Sequence, residues 1–388
     1  MVRGGNTGAE AKKRRARAPR KYFVRETFVT GRQYGATPGL TMPWRAGLVL
    51  CILALLGCGG SEGTGGGWEG IASGAGEADA GAGNHWPKGT SDPPSDLDAG
   101  KDDAEPGPSQ VLCTGRTGGK GDRLVTVNVG GRDREFLLHV PPSYNATKGT
   151  ALVTSFHGFT MSASVQSTIS QMQTVSDARG FLVAFPSGIG SSWNAGDCCG
   201  QAIATGEDDI GFFKALLAYI EASYCIDPKQ VFVTGFSNGA FFAHTLACEM
   251  ANVVAAIAPV SGVLGMSPAK CAPSRPISVL EFHGTRDIVV PYEGGGLTIF
   301  RSVEETNEAW RAKNTCTGAG SIVYQQGDAT CSQYKCAEGT EVELCTIDGG
   351  GHTWPGGEPT GIPGEGKLSK SIKASERIAD FFARHPMP

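Results

Sequence analysis

Val231-Phe232-Val233-Thr234-Gly235-Phe236-Ser237-Asn238-Gly239-Ala240-Phe241-Phe242 is an apolar run that breaks at a serine set between two glycines and resumes as an alanine- and phenylalanine-rich stretch. It reads as a buried strand turning sharply into a helix, with Ser237 at the bend: a nucleophile elbow. A serine hydroxyl is too weakly acidic to attack an ester unaided, so it has to be held exposed on such a turn beside a base. The crowding at the turn leaves no room for side chains two residues to either side, which is the reason for Gly235 and Gly239.

Working outward, a base and an acid follow in order. Ile277-Ser278-Val279-Leu280-Glu281-Phe282 reads as a strand and runs into His283-Gly284-Thr285-Arg286-Asp287, which puts the carboxylate of Asp287 on a loop just past a strand end. Val342-Glu343-Leu344-Cys345-Thr346-Ile347 reads as another strand and empties into Gly349-Gly350-Gly351-His352-Thr353-Trp354-Pro355, making His352 the candidate base. The chain order serine, acid, histidine is that of α/β-hydrolases and differs from the orders in the chymotrypsin and subtilisin folds. Upstream, Ala151-Leu152-Val153-Thr154-Ser155-Phe156 ends in His157-Gly158-Phe159. This H-G-x turn and the elbow would supply the backbone N–H groups of Phe159 and Asn238 as an oxyanion hole, with His157 structural.

With these segments, Trp193-Asn194-Ala195-Gly196-Asp197-Cys198-Cys199-Gly200 and Asp208-Asp209-Ile210-Gly211-Phe212 complete a set that resembles the polyhydroxybutyrate depolymerase and feruloyl esterase family over roughly residues 113 to 385. The resemblance implies an α/β-hydrolase fold, a mostly parallel central sheet flanked by helices. It also implies carboxylic ester hydrolysis by a Ser237–His352–Asp287 triad, without cofactor. The expected substrates are feruloyl or acetyl esters on plant cell-wall xylan, or short polyhydroxyalkanoate esters. The alternatives are another α/β-hydrolase such as a lipase or peptidase, or a non-catalytic, surface-tethered binding protein. The resemblance further implies a Cys248–Cys271 disulfide and a link from Cys198 or Cys199 to Cys225. A bridge between the adjacent Cys198 and Cys199 ranks below a link to a distant partner, because it closes a strained ring.

The first 110 of the 388 residues do not read as part of a globule. Residues 1–41 form a basic leader, left untranslated if synthesis begins at Met42, and residues 42–57 have the charged start and short apolar stretch of a signal peptide. Its apolar run, Ala46 through Gly57, falls short of the roughly 20 residues that a membrane-spanning helix needs. Leu55-Leu56-Gly57-Cys58 resembles a lipobox, which makes Cys58 a lipidation site and the protein an exported, membrane-anchored or secreted one. Residues 58–110 are Gly-, Ser- and Asp-rich and read as a linker, and residues 111–388 as the catalytic domain.

Charge divides the same way. Residues 1–45 carry a balance of +9, which leaves −13 on the remainder of a chain whose total is −4. The catalytic part therefore lacks a basic footprint for nucleic acid, and its partner is read as an ester substrate, possibly polymeric, bound by a monomer. Apart from Cys51 and Cys58 there are ten cysteines, an even set suited to disulfides in an exported protein. No metal is expected, since no C-x-x-C pair or H-E-x-x-H stretch is present.

Strands are expected over 124–129 and 135–140 with a Gly130-Gly131 turn, then over 181–185, 231–236, 253–258 and 277–282. Helices are expected over 209–224, 238–250, 302–313 and 371–384. Trp193, Tyr292 and Trp354 are read as substrate-binding aromatics lining a cleft, and Phe159 offers a further aromatic face. Asp208 and Asp209, adjacent at a helix start, are read as capping rather than catalytic acids.

Overall fold

The computed structural model describes residues 113–296 and 300–388. The segments read as leader, signal peptide, lipobox with Cys58 and linker fall outside the described residues. Ten strands form one sheet. A hairpin of β1 (Gly121–Val129) and β2 (Arg132–Val140) comes first, joined by Gly130 and Gly131 at φ of 58° and 87°. Both turn residues lie in the left-handed region, as a two-residue primed turn requires, and glycine enters it at no steric cost. Next come β3 (Thr150–Phe156), helices α1 (Ala163–Ser170) and α2 (Met172–Arg179), and β4 (Leu182–Pro186). A short α3 (Gln201–Thr205), α4 (Asp209–Ser223), β5 (Ile226–Phe236), α5 (Asn238–Glu249), β6 (Ala256–Val260) and β7 (Ser278–Gly284) follow. The chain closes with α6 (Val303–Lys313), β8 (Ser321–Gln326), β9 (Ala329–Lys335), β10 (Glu341–Ile347) and α7 (Ala374–Arg384).

The strand order is β1-β2-β4-β3-β5-β6-β7-β10-β9-β8. The six central strands, β4 to β10, are mutually parallel, and an antiparallel pair extends the sheet at each side. Side chains along the central strands alternate between two cores. Val231 and Val233 enter one with Phe213 and Leu216 of α4 and Phe242 of α5, while Phe232 and Phe236 enter the other with Met172 of α2 and Phe382 of α7. This is the period of two in a sheet covered on both faces, so the central strands read as continuous apolar runs. The architecture is the expected α/β-hydrolase one, a mostly parallel open sheet with flanking helices.

Some boundaries move. The strand expected at 253–258 is Ala256–Val260, because Val253 and Val254 donate back to Met250 and finish the helix end. The last helix starts at Ala374 rather than 371, while α6 begins at Val303 under a Ser302 capping box with Glu305. The hairpin β8–β9 and helices α1 and α2 were not assigned from sequence.

Five disulfides join the ten cysteines: Cys113–Cys225, Cys198–Cys199, Cys248–Cys271, Cys316–Cys336 and Cys331–Cys345. Cys248–Cys271 matches expectation. The link from Cys198 or Cys199 to Cys225 is corrected: Cys113 occupies Cys225, and the vicinal pair closes on itself.

Candidate active site

Ser237 follows the last residue of β5 and precedes the first of α5, at φ 53° and ψ −122°. Such a backbone is costly for a residue with a side chain, and strain of this kind concentrates at functional sites. Neighbouring backbones enforce the bend. A Cβ on Gly235 would lie 2.4 Å from the Gly239 carbonyl oxygen, and one on Gly239 would lie 2.3 Å from that of Phe156. The Ser237 N–H donates to the Val260 carbonyl at 2.9 Å, fixing the elbow to β6.

Asp287 and His352 leave adjacent parallel strands whose register pairs Gly284 with Ile347. The two loops are tied together, Thr285 N–H donating to Ile347 and Arg286 N–H to Gly350. His352 Nδ1 lies 2.7 Å from Asp287 Oδ2, with both side chains buried. Asp287 Oδ1 accepts the N–H groups of Val289 and Val290 at 2.9 and 2.8 Å. Burial alone would raise the Asp287 pKa; His352, His283 and the backbone donor outweigh it and hold the carboxyl below its ordinary value. A carboxylate at Nδ1 assigns the proton to that nitrogen and leaves Nε2 as the basic one. Nε2 is buried without a hydrogen-bond partner among the described residues, and the ring sits 4.8 Å from that of Phe236, the residue before the serine. Ser237 itself is 9% exposed.

Phe159 lies in the turn after β3. His157 braces that turn, accepting the Gly188 N–H on Nε2 at 2.9 Å and meeting the Gly158 carbonyl through Nδ1 at 2.8 Å. Burial pushes the His157 pKa down to about 4, against the Gly158 hydrogen bond, so the ring is neutral and structural. Asn238 occupies the first position of α5, where an amide has no acceptor within its own helix. Its side chain has a task that sequence reading missed. Oδ1 accepts the Trp193 N–H at 2.7 Å, and Nδ2 donates to the carbonyls of Trp193 and Cys198 at 3.2 and 3.1 Å. The loop that carries the vicinal disulfide is thereby fastened to the elbow.

The assignments of Trp193 and Trp354 are corrected. Trp193 and Trp354 are fully buried. Trp193 donates its indole N–H to the His157 carbonyl and packs between Phe156 and Phe242, while Trp354 donates to Ser375. Neither offers a ligand any surface. Tyr292 is half-buried, with its hydroxyl on Thr346 and its ring against His283. Asp209 is buried in an ion pair with Arg134 at 2.7 Å and Asp208 caps α4 through the Gly211 N–H, both structural as expected. Sequence reading gave no role to Glu281 or His283. The available signal was a charged residue inside an otherwise apolar strand.

A cavity of about 590 Å³ lies among Ser143, Asp177, Arg179, Phe181 and Gln230. These residues flank the amino ends of the parallel strands, the opposite end from Ser237, so the cavity has no part in this site.

An elbow serine and a buried carboxylate–imidazole pair at the carboxyl edge of a parallel sheet are the arrangement of an α/β-hydrolase. No family model matches the chain. Among curated proteins it is similar to feruloyl esterase B of Piromyces equi, 33% identical over 56% of this chain and 42% of that one. It is also similar to the putative esterase NocK of Nocardia uniformis subsp. tsuyamanensis, 29% identical over 66% of this chain and 80% of that one. A probable feruloyl esterase C of Aspergillus flavus is 30% identical over 50% of this chain and 70% of its own length. Among solved structures, an acetyl xylan esterase from Aspergillus awamori aligns with 68% of this chain and 99% of that one at 16% identity and a TM-score of 0.49. The chain belongs to the feruloyl esterase family of carboxylic ester hydrolases. It spans less than half the length of the Piromyces relative.

Proposed function

We propose that this chain is an exported serine carboxylesterase in which Ser237 is the nucleophile, His352 the general base and acid, and Asp287 the orienting carboxylate. The observation that carries the reading is the 2.7 Å contact between His352 Nδ1 and Asp287 Oδ2, with the opposite ring nitrogen buried without a hydrogen-bond partner among the described residues and the ring 4.8 Å from that of Phe236, which precedes the serine in elbow conformation. His352 Nε2 takes the Ser237 proton as the hydroxyl oxygen bonds to the ester carbonyl carbon. The charge that develops on the carbonyl oxygen is met by the N–H groups of Phe159 and Asn238, fixed donors that need no reorganisation. His352 then gives its proton to the leaving alcohol, an acyl-serine remains, and water activated by the same nitrogen releases the acid.

For substrate, we favour feruloyl or acetyl esters on xylan, in keeping with the names of the relatives; one of these, from Neocallimastix patriciarum, is a bifunctional acetylxylan esterase/xylanase. Five disulfides favour an oxidising compartment and so export, and acylation of Cys58 would add a membrane anchor.

Replacing Ser237 by alanine should lower ester turnover by several orders of magnitude with an unchanged melting temperature. Undiminished turnover by that variant would refute the nucleophile. The wild-type enzyme, assayed on feruloylated arabinoxylan, acetylated xylan, hydroxybutyrate oligomers and a matching amide, should act on the first two. Preference for the oligomers or the amide would overturn the substrate assignment while leaving the triad intact.

A further inference from the structure

Beside Asp287, approaching the same carboxylate oxygen as His352, lies His283, and next to it Glu281, two buried ionisable groups that the proposed reaction does not use. His283, on β7, directs Nε2 at the Val290 carbonyl oxygen, 2.9 Å away, and the same nitrogen lies 3.6 Å from Asp287 Oδ2. Its other nitrogen, Nδ1, lies 3.7 Å from Glu281 Oε1. Glu281 accepts the Asn307 side-chain N–H on Oε2 at 2.9 Å. Glu281 and His283 are buried completely or nearly so, and neither His283 Nδ1 nor Glu281 Oε1 has a hydrogen-bond partner among the described residues.

These facts constrain where the protons sit. The Val290 carbonyl can only accept, so His283 Nε2 carries a hydrogen. A neutral ring beside an ionised Glu281 would then leave Nδ1 as a bare acceptor facing a carboxylate oxygen, two orphaned acceptors in a dry interior. A buried polar group without a partner is destabilising. A proton between the two relieves that repulsion, and on Nδ1, with Asp287 facing the other nitrogen of the ring, it places a cation between two anions.

We infer that His283 is held as an imidazolium by Glu281 and acts as a positioning residue for Asp287, extending the proposed triad into a buried chain from Glu281 through His283, Asp287 and His352 to Ser237. The inference rests on the triad reading above. Its consequence is electrostatic. The His283 charge keeps Asp287 ionised and offsets part of the carboxylate's pull on a proton at His352.

The surroundings agree. Burial pulls the His283 pKa down, but Glu281, Asp287 and the Val290 carbonyl outweigh it and leave the value above the ordinary one. Burial raises that of Glu281, against the pull of His283 and Asn307. The other groups that face the pair add no competing cation. Tyr292 packs edge-on against the imidazole, with ring centroids 5.9 Å apart. His244 on α5 accepts the Trp310 indole N–H and is kept neutral by burial, its pKa down to about 3. Glu304 on α6 contributes a further negative charge.

The test is the pH profile of kcat/KM for an activated ester, measured on the whole exported protein. His283→Gln keeps a donor for Val290 and removes the charge. The acid limb should move about one unit to higher pH, roughly a tenfold loss below the limb, with KM little changed and the alkaline plateau retained. Glu281→Gln gives the sharper result. If His283 is an imidazolium only because of Glu281, removing this anion also moves the limb to higher pH. A lone buried carboxylate beside a neutral imidazole would move it the other way on removal. An unshifted limb in His283→Gln, or an acid shift in Glu281→Gln, overturns the inference. Should either variant melt early, nitrogen-15 imidazole spectra of the wild-type protein at pH 8 decide the matter. Two protonated nitrogens on His283, identified by its contact with Tyr292, support the chain, and a single one overturns it. A failed Ser237→Ala result removes the triad reading itself, independently of these profiles.

Discussion

The middle of the sheet and its rims are made from different sequence material. β7 is buried at all seven positions and β6 at all five, whereas β8, at one rim, is exposed at five of six, and β1, at the other, has a single buried residue. Each central strand serves a core on both faces, so it cannot shift without disturbing both, and the loops at its carboxyl end inherit that fixity. The rims carry one-sided or solvated strands and hold none of the candidate catalytic groups. Precision at Ser237, Asp287 and His352 therefore comes from β5, β7 and β10, and the antiparallel pairs complete the sheet around them.

Mutations can break this contrast. Phe232, on β5, stacks on Phe382 with ring centroids 4.6 Å apart and is 1% exposed. Phe232→Ala should cost about 3–5 kcal/mol in chemical denaturation; a loss below about 1 kcal/mol would mean the central strands tolerate voids as the rims do. Acid should act next most strongly, again from the centre. The folded-state pKa of His157 is depressed to about 4 from 6.5, so the unfolded chain takes up the proton first as pH falls. Its contribution to stability is complete above pH 6.5 and is lost progressively down to about pH 4, a fall on the order of 3 kcal/mol. The buried, neutral His244 adds a fall of the same sign. His157→Gln, which keeps an acceptor for the Gly188 N–H, should flatten the denaturation midpoint between pH 6.5 and 4 relative to wild type. An equally steep loss would assign acid sensitivity elsewhere. At the rim, Ile322 on β8 is 61% exposed. Ile322→Lys should change stability by no more than about 0.5 kcal/mol and leave ester turnover unaltered, which a melting curve and one assay would check.

How legible each region was follows from the same contrast. Strands buried on both faces announce themselves as apolar runs, so Ala151 to Phe156, Val231 to Phe236 and Ile277 to Phe282 were recognisable, and with them the ends that bear Phe159, Ser237 and Asp287. The rim hairpin β8–β9 is written as Ser321-Ile322-Val323-Tyr324-Gln325-Gln326 and Ala329-Thr330-Cys331-Ser332-Gln333-Tyr334-Lys335, with no clean alternation to read. Helices α1 and α2 are rich in Ser, Thr and Val, which form helices weakly, and they are separated by Gln171 at φ 52°. Within the site, sequence supplied candidate residues but not the direction of their side chains. Trp193 and Trp354 flank catalytic motifs and nevertheless point into the cores, and the clamp from Asn238 to the Trp193–Cys198 loop joins positions 45 and 40 residues apart. Glu281 and His283 sat in view within a recognised strand. Their meaning depended on distances that no spacing rule supplies.

The Cys113–Cys225 bridge has a mechanical consequence. A pull on the chain ahead of Cys113 passes through the bond to Cys225, immediately before β5, and so enters the sheet at the amino end of a strand held by neighbours on both sides. That load is shared along the ladders of β3 and β6 in shear, and it arrives at the end of β5 farthest from Ser237. A tether attached there could be stretched without prising open the turn that holds the serine.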